Sequence, residues 1–246
     1  MMSKEAIRGI LRLALGAYHT YFILYASIWD IKHPNYETYA GRWKTLTFIT
    51  CMLNCWYFIG AFLKDAFFCH ILPDSINKKI KSFLDSMFGA VVCPAALLVV
   101  GAFWGLYFFN RELIWPVHMD LLIPQTYGHM MHTLLGVIAL VELAAFNHQF
   151  LTFNEGFALC MTYAGCYVSW LYYIRYAAGI WVYPLFYRLT KPWRKEMFLS
   201  GVVSFLLALY CIVYGLHSSI HGVKDLSTKE NAGNEKLKAK KVRKIE

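Results

Sequence analysis

Six long stretches of apolar residues, separated by short polar connections, dominate the chain. They lie near residues 6–28, 45–68, 85–109, 129–147, 157–178 and 197–218. Each is long enough to cross about 30 Å of hydrocarbon as a helix, which takes roughly 20 residues. None shows the strict alternation of barrel strands, and backbone groups in lipid must be bonded internally. The pattern therefore predicts an all-α polytopic membrane bundle of six transmembrane helices.

The two ends of the chain differ from this pattern. The first stretch has basic flanks like those of a signal peptide, but it is long, contains His19 and lacks a clear cleavage site, so we interpret it as a retained span. Residues 223–246 contain eight basic and four acidic residues, and we expect a disordered tail there. The prediction is a transmembrane helical domain over residues 1–222 followed by a basic tail over residues 223–246.

Composition and charge support a membrane protein and suggest its orientation. The chain is 58% hydrophobic and only 16% charged, which excludes an ordinary soluble domain. Basic residues concentrate at the N-terminus, in the second connection and in the tail, so the positive-inside rule predicts that these segments, including the C-terminal tail, are cytoplasmic. Arg188, Lys191, Arg194 and Lys195 then fall in an outward loop, against the rule. Five spans plus a re-entrant segment are therefore an alternative. The expected location is the endoplasmic reticulum or the plasma membrane.

Motifs of soluble enzymes and of nucleic-acid-binding modules are not found in the sequence. The seven cysteines lie in or beside apolar stretches and form no CxxC pair, so neither a metal nor any other cofactor is predicted. The basic tail follows a membrane span, which makes membrane lipids, and not nucleic acid, the expected partners. The oligomeric state does not follow from the sequence.

Thr47 and His132 each lie about one turn inside the start of an apolar stretch, the second and the fourth. Spans two apart begin on the same side of a membrane, so the two side chains should lie at similar depth. A nucleophile and a base could therefore meet there. Thr47 also belongs to a polar stripe with Thr50 and Asn54, which should face protein and not lipid. The alternative is that Thr45 caps the helix while Thr47 and Thr50 bond back to preceding carbonyls.

The histidines of the fourth stretch allow several interpretations. His129 and His132 are three residues apart and should share one helix face. A histidine in a span is a functional candidate by default, and the alternative is an interfacial side chain satisfied by loop carbonyls. A haem held between His19 and His132 is a further alternative.

Glu142 is an acid well inside the same stretch. It lies ten residues from His132, or about 15 Å along a helix, which is too far to orient that imidazole. We expect a buried pair with Arg12 or Lys64 instead.

At these residues the chain resembles the androgen-induced and androgen-dependent tissue-factor-pathway-inhibitor-regulating protein family of multipass membrane hydrolases. The resemblance extends from about Tyr39 to Pro184. It rests on Arg42-Trp43-Lys44 with Leu46-Thr47, Phe103-Trp104, Arg111-Glu112 with Pro116 and Asp120, Ile123-Pro124, His129 with Met131-His132-Thr133, Glu142, and Trp181-Val182-Tyr183-Pro184.

The resemblance implies hydrolysis of fatty acid esters of hydroxy fatty acids, with Thr47 as the nucleophile and His132 as the base. Independently of the resemblance, Arg42 and Lys44 lie just before the second apolar stretch, near the membrane surface, and could hold a substrate carboxylate. The alternative is that both residues anchor the helix at the membrane interface. Asn54 is a candidate oxyanion donor, and His129 is a candidate for orienting the catalytic pair or contacting substrate. The rival hypothesis is a membrane scaffold or lipid-binding protein without catalysis.

Overall fold

The computed structural model describes residues 4–28 and 37–222. Within these residues the chain forms helices and no strands, which confirms the all-α membrane bundle. The tail at residues 223–246 lies outside the described residues, so its disorder and its cytoplasmic location stay predictions.

Six long helical segments follow one another along the described chain. They are α1 (Lys4–Ile28), α2 (Leu46–Ile71), α3 (Asp74–Leu113), α4 (Gln125–Ala145), α5 (Phe153–Ala178) and α6 (Pro192–His221). Short 3₁₀ turns at Gly41–Lys44 and Val117–Leu121 and a short helix at Leu185–Arg188 lie in the connections. Single π-helical turns interrupt α2 at Lys64–Phe68, α3 at Phe88–Val92 and α4 at Met130–Leu134.

Five of the described helices, α2 to α6, are long and apolar enough to cross a membrane. The protein is therefore an integral multipass membrane protein. The predicted count of six spans is not confirmed, because α1 is not among the five. Its 25 residues include Arg8, Arg12 and His19, which lower its mean hydropathy.

The third helix begins earlier than the apolar pattern indicates. Hydropathy predicts a start near residue 85, whereas α3 starts at Asp74. The first part of α3 is amphipathic, with Lys78 and Lys79 exposed, so a search of the sequence for long apolar runs does not detect it. A π-helical turn then precedes Pro94, which has no N–H to bond the carbonyl of the preceding turn.

The core of the bundle surrounds α3. In its most apolar window 72% of the residues are buried, against 22% in α5 and in α6. Close approach to α6 occurs at Gly101, where an added Cβ would lie 2.9 Å from the Phe205 ring. Gly105, one turn on, has open space instead.

A network of buried charges joins α1, α2 and α4 at the end of the bundle away from Thr47. Arg12 donates to one oxygen of Glu142 from Nη2 at 2.8 Å and from Nε at 3.2 Å, and the Tyr57 hydroxyl donates to the same oxygen at 2.7 Å. Arg12 also pairs with Asp65. The expected ion pair of Glu142 is thus confirmed, with Arg12 as the partner.

Candidate functional site

A cavity of about 250 Å³ lies among α2 to α6, near the ends where α2, α4 and α6 begin. Thr47 and His132 both line it. The remaining walls are mainly apolar and come from every one of these helices and from the connections before α4 and α6. Its lining includes Leu98, Phe103, Trp115, Tyr163, Val182 and Val202.

The start of α2, which carries Thr47, is fixed by a cap and a tight turn. Thr45 is the N-cap and its hydroxyl accepts from the Phe48 amide at 3.4 Å, as the sequence predicts. The chain reaches this cap through Ala40 and Gly41, which have φ values of 62° and 52°. For alanine this left-handed conformation is strained by roughly 1–2 kcal/mol. The turn therefore holds the start of α2 at a backbone cost.

Two tyrosines tie this turn to the other side of the cavity. The Tyr183 hydroxyl accepts from the Leu46 amide at 3.0 Å and lies 2.7 Å from the Tyr167 hydroxyl, which donates to the Lys44 carbonyl at 3.2 Å. Because Tyr167 gives its proton to a carbonyl, Tyr183 donates to Tyr167. Desolvation raises the pKa of Tyr183, which keeps that donor protonated. Two separate sequence motifs, Arg42-Trp43-Lys44 and Trp181-Val182-Tyr183-Pro184, thus form one framework.

The Thr47 hydroxyl is half-buried at the cavity wall. Among the described residues it makes no hydrogen bond, and the buried Thr50 hydroxyl one turn below also has no partner of hydrogen-bond geometry. The alternative in which these hydroxyls bond back to preceding carbonyls is therefore not observed. Thr47 therefore lines the cavity with a hydroxyl that makes no hydrogen bond to the helix backbone in the described part of the chain.

The ring of His132 is held tightly and in a defined tautomer. It is 5% exposed and stacks on Phe103 with ring centroids 3.6 Å apart and planes 5° apart, while Trp115 contacts it edge-on. Its Nδ1 lies 3.1 Å from the Gly128 carbonyl oxygen. A carbonyl can only accept, so in the neutral ring Nδ1 carries the proton and Nε2 the lone pair.

The π-helical turn of α4 separates the two histidines that an α-helical pattern places on one face. His129 is exposed, stacks on Trp104 and lies 3.2 Å from the Thr133 hydroxyl. Trp104 also donates from Nε1 to the His132 carbonyl at 2.9 Å, which supports the turn. The predicted common face is wrong because a π-helical turn changes the angle between successive side chains.

Thr47 and His132 share the cavity but are not hydrogen-bonded to each other in the described part of the chain. The two groups thus line one cavity without forming a preformed dyad. Resting catalytic sites often have longer contacts than loaded ones.

Comparison with known proteins shows the family of the chain. A sequence profile described as "FAR-17a/AIG1-like protein" matches residues 10–218. This chain belongs to that family. It is 30% identical to the human androgen-induced gene 1 protein over 189 residues, which is 74% of this chain and 79% of that protein. It is 27% identical to the human androgen-dependent TFPI-regulating protein over 215 residues, or 87% and 89% of the two chains. No solved structure matches this chain.

In this member of the FAR-17a/AIG1-like family, four residues predicted to bind substrate do not line the cavity. They are Arg42, Lys44, Asn54 and His129. Lys44 is fully buried, its ammonium donates to Thr38, and burial lowers its pKa. Asn54 is also fully buried and donates to the Thr50 carbonyl at 2.9 Å. His19, the second ligand in the haem alternative, does not line this cavity, and its ring stacks on Phe58.

The family motif at Arg111 to Asp120 has a role that sequence reasoning missed. Arg111 donates to Asp120 at 2.7 Å, and Trp115 donates to the same oxygen at 2.9 Å. The hydrogen bond from Arg111 lowers the pKa of Asp120. These contacts hold Trp115 against His132, so this connection forms a wall of the cavity. Motif spacing alone could not show which side chain the loop covers.

Proposed function

We propose that the protein is a membrane-embedded hydrolase of lipid carboxylic esters, with fatty acid esters of hydroxy fatty acids as the substrate class. Thr47 is the nucleophile and His132 the base. The observation that carries the proposal is that both side chains line one apolar cavity, where His132 has its Nδ1 bonded to a carbonyl. An apolar cavity with few polar groups suits a lipid ester.

In the proposed reaction the ester carbonyl lies between the two groups and closes the gap that the resting structure leaves. Thr47 Oγ1 attacks the carbonyl carbon while His132 Nε2 takes the hydroxyl proton. The tetrahedral intermediate breaks its bond to the alcohol oxygen, which leaves with the proton from His132. Water then attacks the acyl-threonine, with Nε2 again as base, and releases the fatty acid and the threonine hydroxyl.

Tyr163 supports this chemistry as a donor to the developing oxyanion. It lines the cavity, and its buried hydroxyl contacts the Thr50 hydroxyl of α2 but makes no hydrogen bond of full geometry within the described residues. A buried hydroxyl without a well-formed hydrogen bond is uncommon and calls for an explanation. A substrate oxygen that becomes negative in the transition state supplies one, since such donors act most strongly in a site that excludes water.

A covalent fluorophosphonate probe tests the proposal. The parent protein should be labelled at Thr47, and labelling and ester hydrolysis should both be lost in Thr47→Ala and in His132→Ala. Thr20→Ala is a matched control, because its hydroxyl donates to the Gly16 carbonyl at 2.9 Å and it does not line the cavity. Hydrolysis that persists in Thr47→Ala at normal expression would rule out this nucleophile.

A lipid-binding protein without catalysis is the second candidate. The lack of a hydrogen bond between Thr47 and His132 favours it, because a base must reach the proton that it removes. Under this candidate the cavity retains a fatty acid ester unchanged. Purified protein that binds the ester but neither cleaves it nor reacts with the probe would support it.

A further inference from the structure

A second hollow lies on the outside of the bundle, between α3 and α6. It has a volume of about 730 Å³ and we call it the α3–α6 groove. Three glycines, Gly101, Gly105 and Gly201, form much of its floor. The two helices that form it are membrane-spanning, so the groove is apolar and open on the side away from the core.

The α3–α6 groove and the cavity that contains Thr47 share a wall. Four residues, Ala102, Leu106, Phe198 and Val202, line both. Only this single layer of side chains therefore separates the groove from the cavity that Thr47 lines. Rotamer changes of a leucine, a phenylalanine or a valine are small movements compared with a helix displacement. A lipid in the groove is thus one layer of side chains away from the cavity.

The groove also has a charge at one end. Arg194, in the first turn of α6, lines it, and its guanidinium lies 5.4 Å from the centre of the Trp193 ring. Within the described residues Arg194 has no ion pair with an acid, and no acidic residue lines the groove. Arg194 is one of the four cations that the predicted six-span topology places in an outward loop, against the positive-inside rule. Under that topology a binding role explains a cation at this end of the groove.

The dimensions fit a fatty acid. From Trp193 to Phe205 the groove follows twelve residues of α6, or about 18 Å, which is on the scale of a long acyl chain. At the inner end the Phe205 ring lies over Gly101 and closes the groove. A chain with a carboxylate at Arg194 would lie along the glycines towards Phe205.

We propose that the α3–α6 groove binds the carboxylate-bearing acyl arm of the substrate, with the carboxylate at Arg194, and that the ester passes from the bilayer into the cavity between Phe198 and Val202. This rests on the proposed function. It transfers the carboxylate-binding role from Arg42 and Lys44, which do not line the cavity, to a cation on the substrate path.

Filling the groove tests the route. A Cβ at Gly105 or Gly201 would meet no atom within 4 Å, so Gly105→Leu and Gly201→Leu should fold, and leucine has the higher helix propensity. We expect each to lower kcat/KM for a long-chain ester roughly ten-fold or more, and to leave cleavage of a short, soluble p-nitrophenyl acetate unchanged. Gly215→Leu is the matched control. Gly215 lies on α6 like Gly201, an added Cβ there would also meet no atom within 4 Å, and it does not line the groove. If the groove variants behave like Gly215→Leu towards the long-chain ester, the route is wrong.

Replacing the cation tests the carboxylate. Arg194→Gln should reduce the preference for the free acid over its methyl ester by about ten-fold, because a charge-assisted hydrogen bond is lost. Lys191→Gln, near the start of the same helix but outside the groove, should keep the preference. An unchanged preference in Arg194→Gln would overturn the assignment. These outcomes are separate from failure of the proposed function, which would appear as full activity of Thr47→Ala towards both substrates.

Discussion

Tyr163→Phe should separate the catalytic and the structural roles of a single oxygen atom. Within the described residues the Tyr163 hydroxyl is buried and contacts Thr50, but it makes no hydrogen bond of full geometry. Leaving such a group unsatisfied costs about 1–3 kcal/mol, so its removal should keep the free energy of unfolding unchanged or raise it by up to roughly that amount. Loss of one oxyanion donor typically lowers kcat about 10²- to 10³-fold, or about 2.7–4 kcal/mol. The variant should therefore be at least as stable as the parent and much slower.

The assay compares kcat, KM and the thermal unfolding midpoint of the detergent-solubilised protein. Tyr18→Phe is the control, because the Tyr18 hydroxyl is buried without a hydrogen bond to any described residue and does not line the cavity. Both variants should show the same small change in stability. Only Tyr163→Phe should lose kcat, with KM nearly unchanged, since the lost contact forms in the transition state.

Two outcomes would refute this reasoning about Tyr163. Full kcat in Tyr163→Phe would show that its hydroxyl does not contact the oxyanion. A parallel loss of stability and activity would show instead that the hydroxyl has a structural partner and supports the fold.

Three further predictions concern stability. Arg12→Met leaves Glu142 buried without its cation and should lower the free energy of unfolding by about 3–5 kcal/mol, and adding Glu142→Gln should restore part of that loss. Chemical unfolding in mixed micelles measures both effects. Equal losses in the single and the double variant would contradict the pairing. Ala40→Gly removes the backbone strain of an alanine at φ 62° and should raise the thermal midpoint by an amount equivalent to about 1 kcal/mol, without a change in kcat. A lower midpoint would argue against strain at this position. Asp120 has a lowered pKa in the fold, so its contribution to stability is present above the ordinary carboxyl pKa of about 3.9 and is lost as the pH falls through the lower folded value. The difference in thermal midpoint between the parent and Asp120→Asn should therefore shrink over that range. A difference that does not depend on pH would refute the assignment.

The sequence predicts the parts of this structure that depend on hydropathy and on the order of the spans. Long apolar runs require helices in lipid, and parity places the starts of α2 and α4 on one side, which agrees with a cavity that Thr47 and His132 both line. Burial of Glu142 requires a cation, and Arg12 lies at the matching depth. These inferences need no knowledge of which helix faces meet.

The parts that the sequence does not predict depend on local turns and on facing surfaces. A π-helical turn in α4 has no simple sequence signal, and it moves His129 out of the site while His132 stays inside. Lys44 belongs to a basic tripeptide that is typical of an interface, yet the turn before α2 folds it inward to Thr38. Tyr163 is one of 17 tyrosines, and only the packing of α5 against α2 distinguishes it from the others.

The polar side chains at the two ends of α2 differ in how well their charges and hydrogen bonds are satisfied. About 27 Å from Thr47 along the helix, Asp65 has two cationic partners, Arg12 and Lys64, so that each charge there is compensated. At the Thr47 end the polar groups of α2 are uncharged, and the Thr50 and Tyr163 hydroxyls are buried beside each other without a hydrogen bond of full geometry among the described residues. Phenylalanine or valine at these positions would remove a penalty of up to about 1–3 kcal/mol. A fold selected for stability alone would not keep both hydroxyls beside one cavity, whereas a site that must bind a developing negative charge requires donors that are not already occupied.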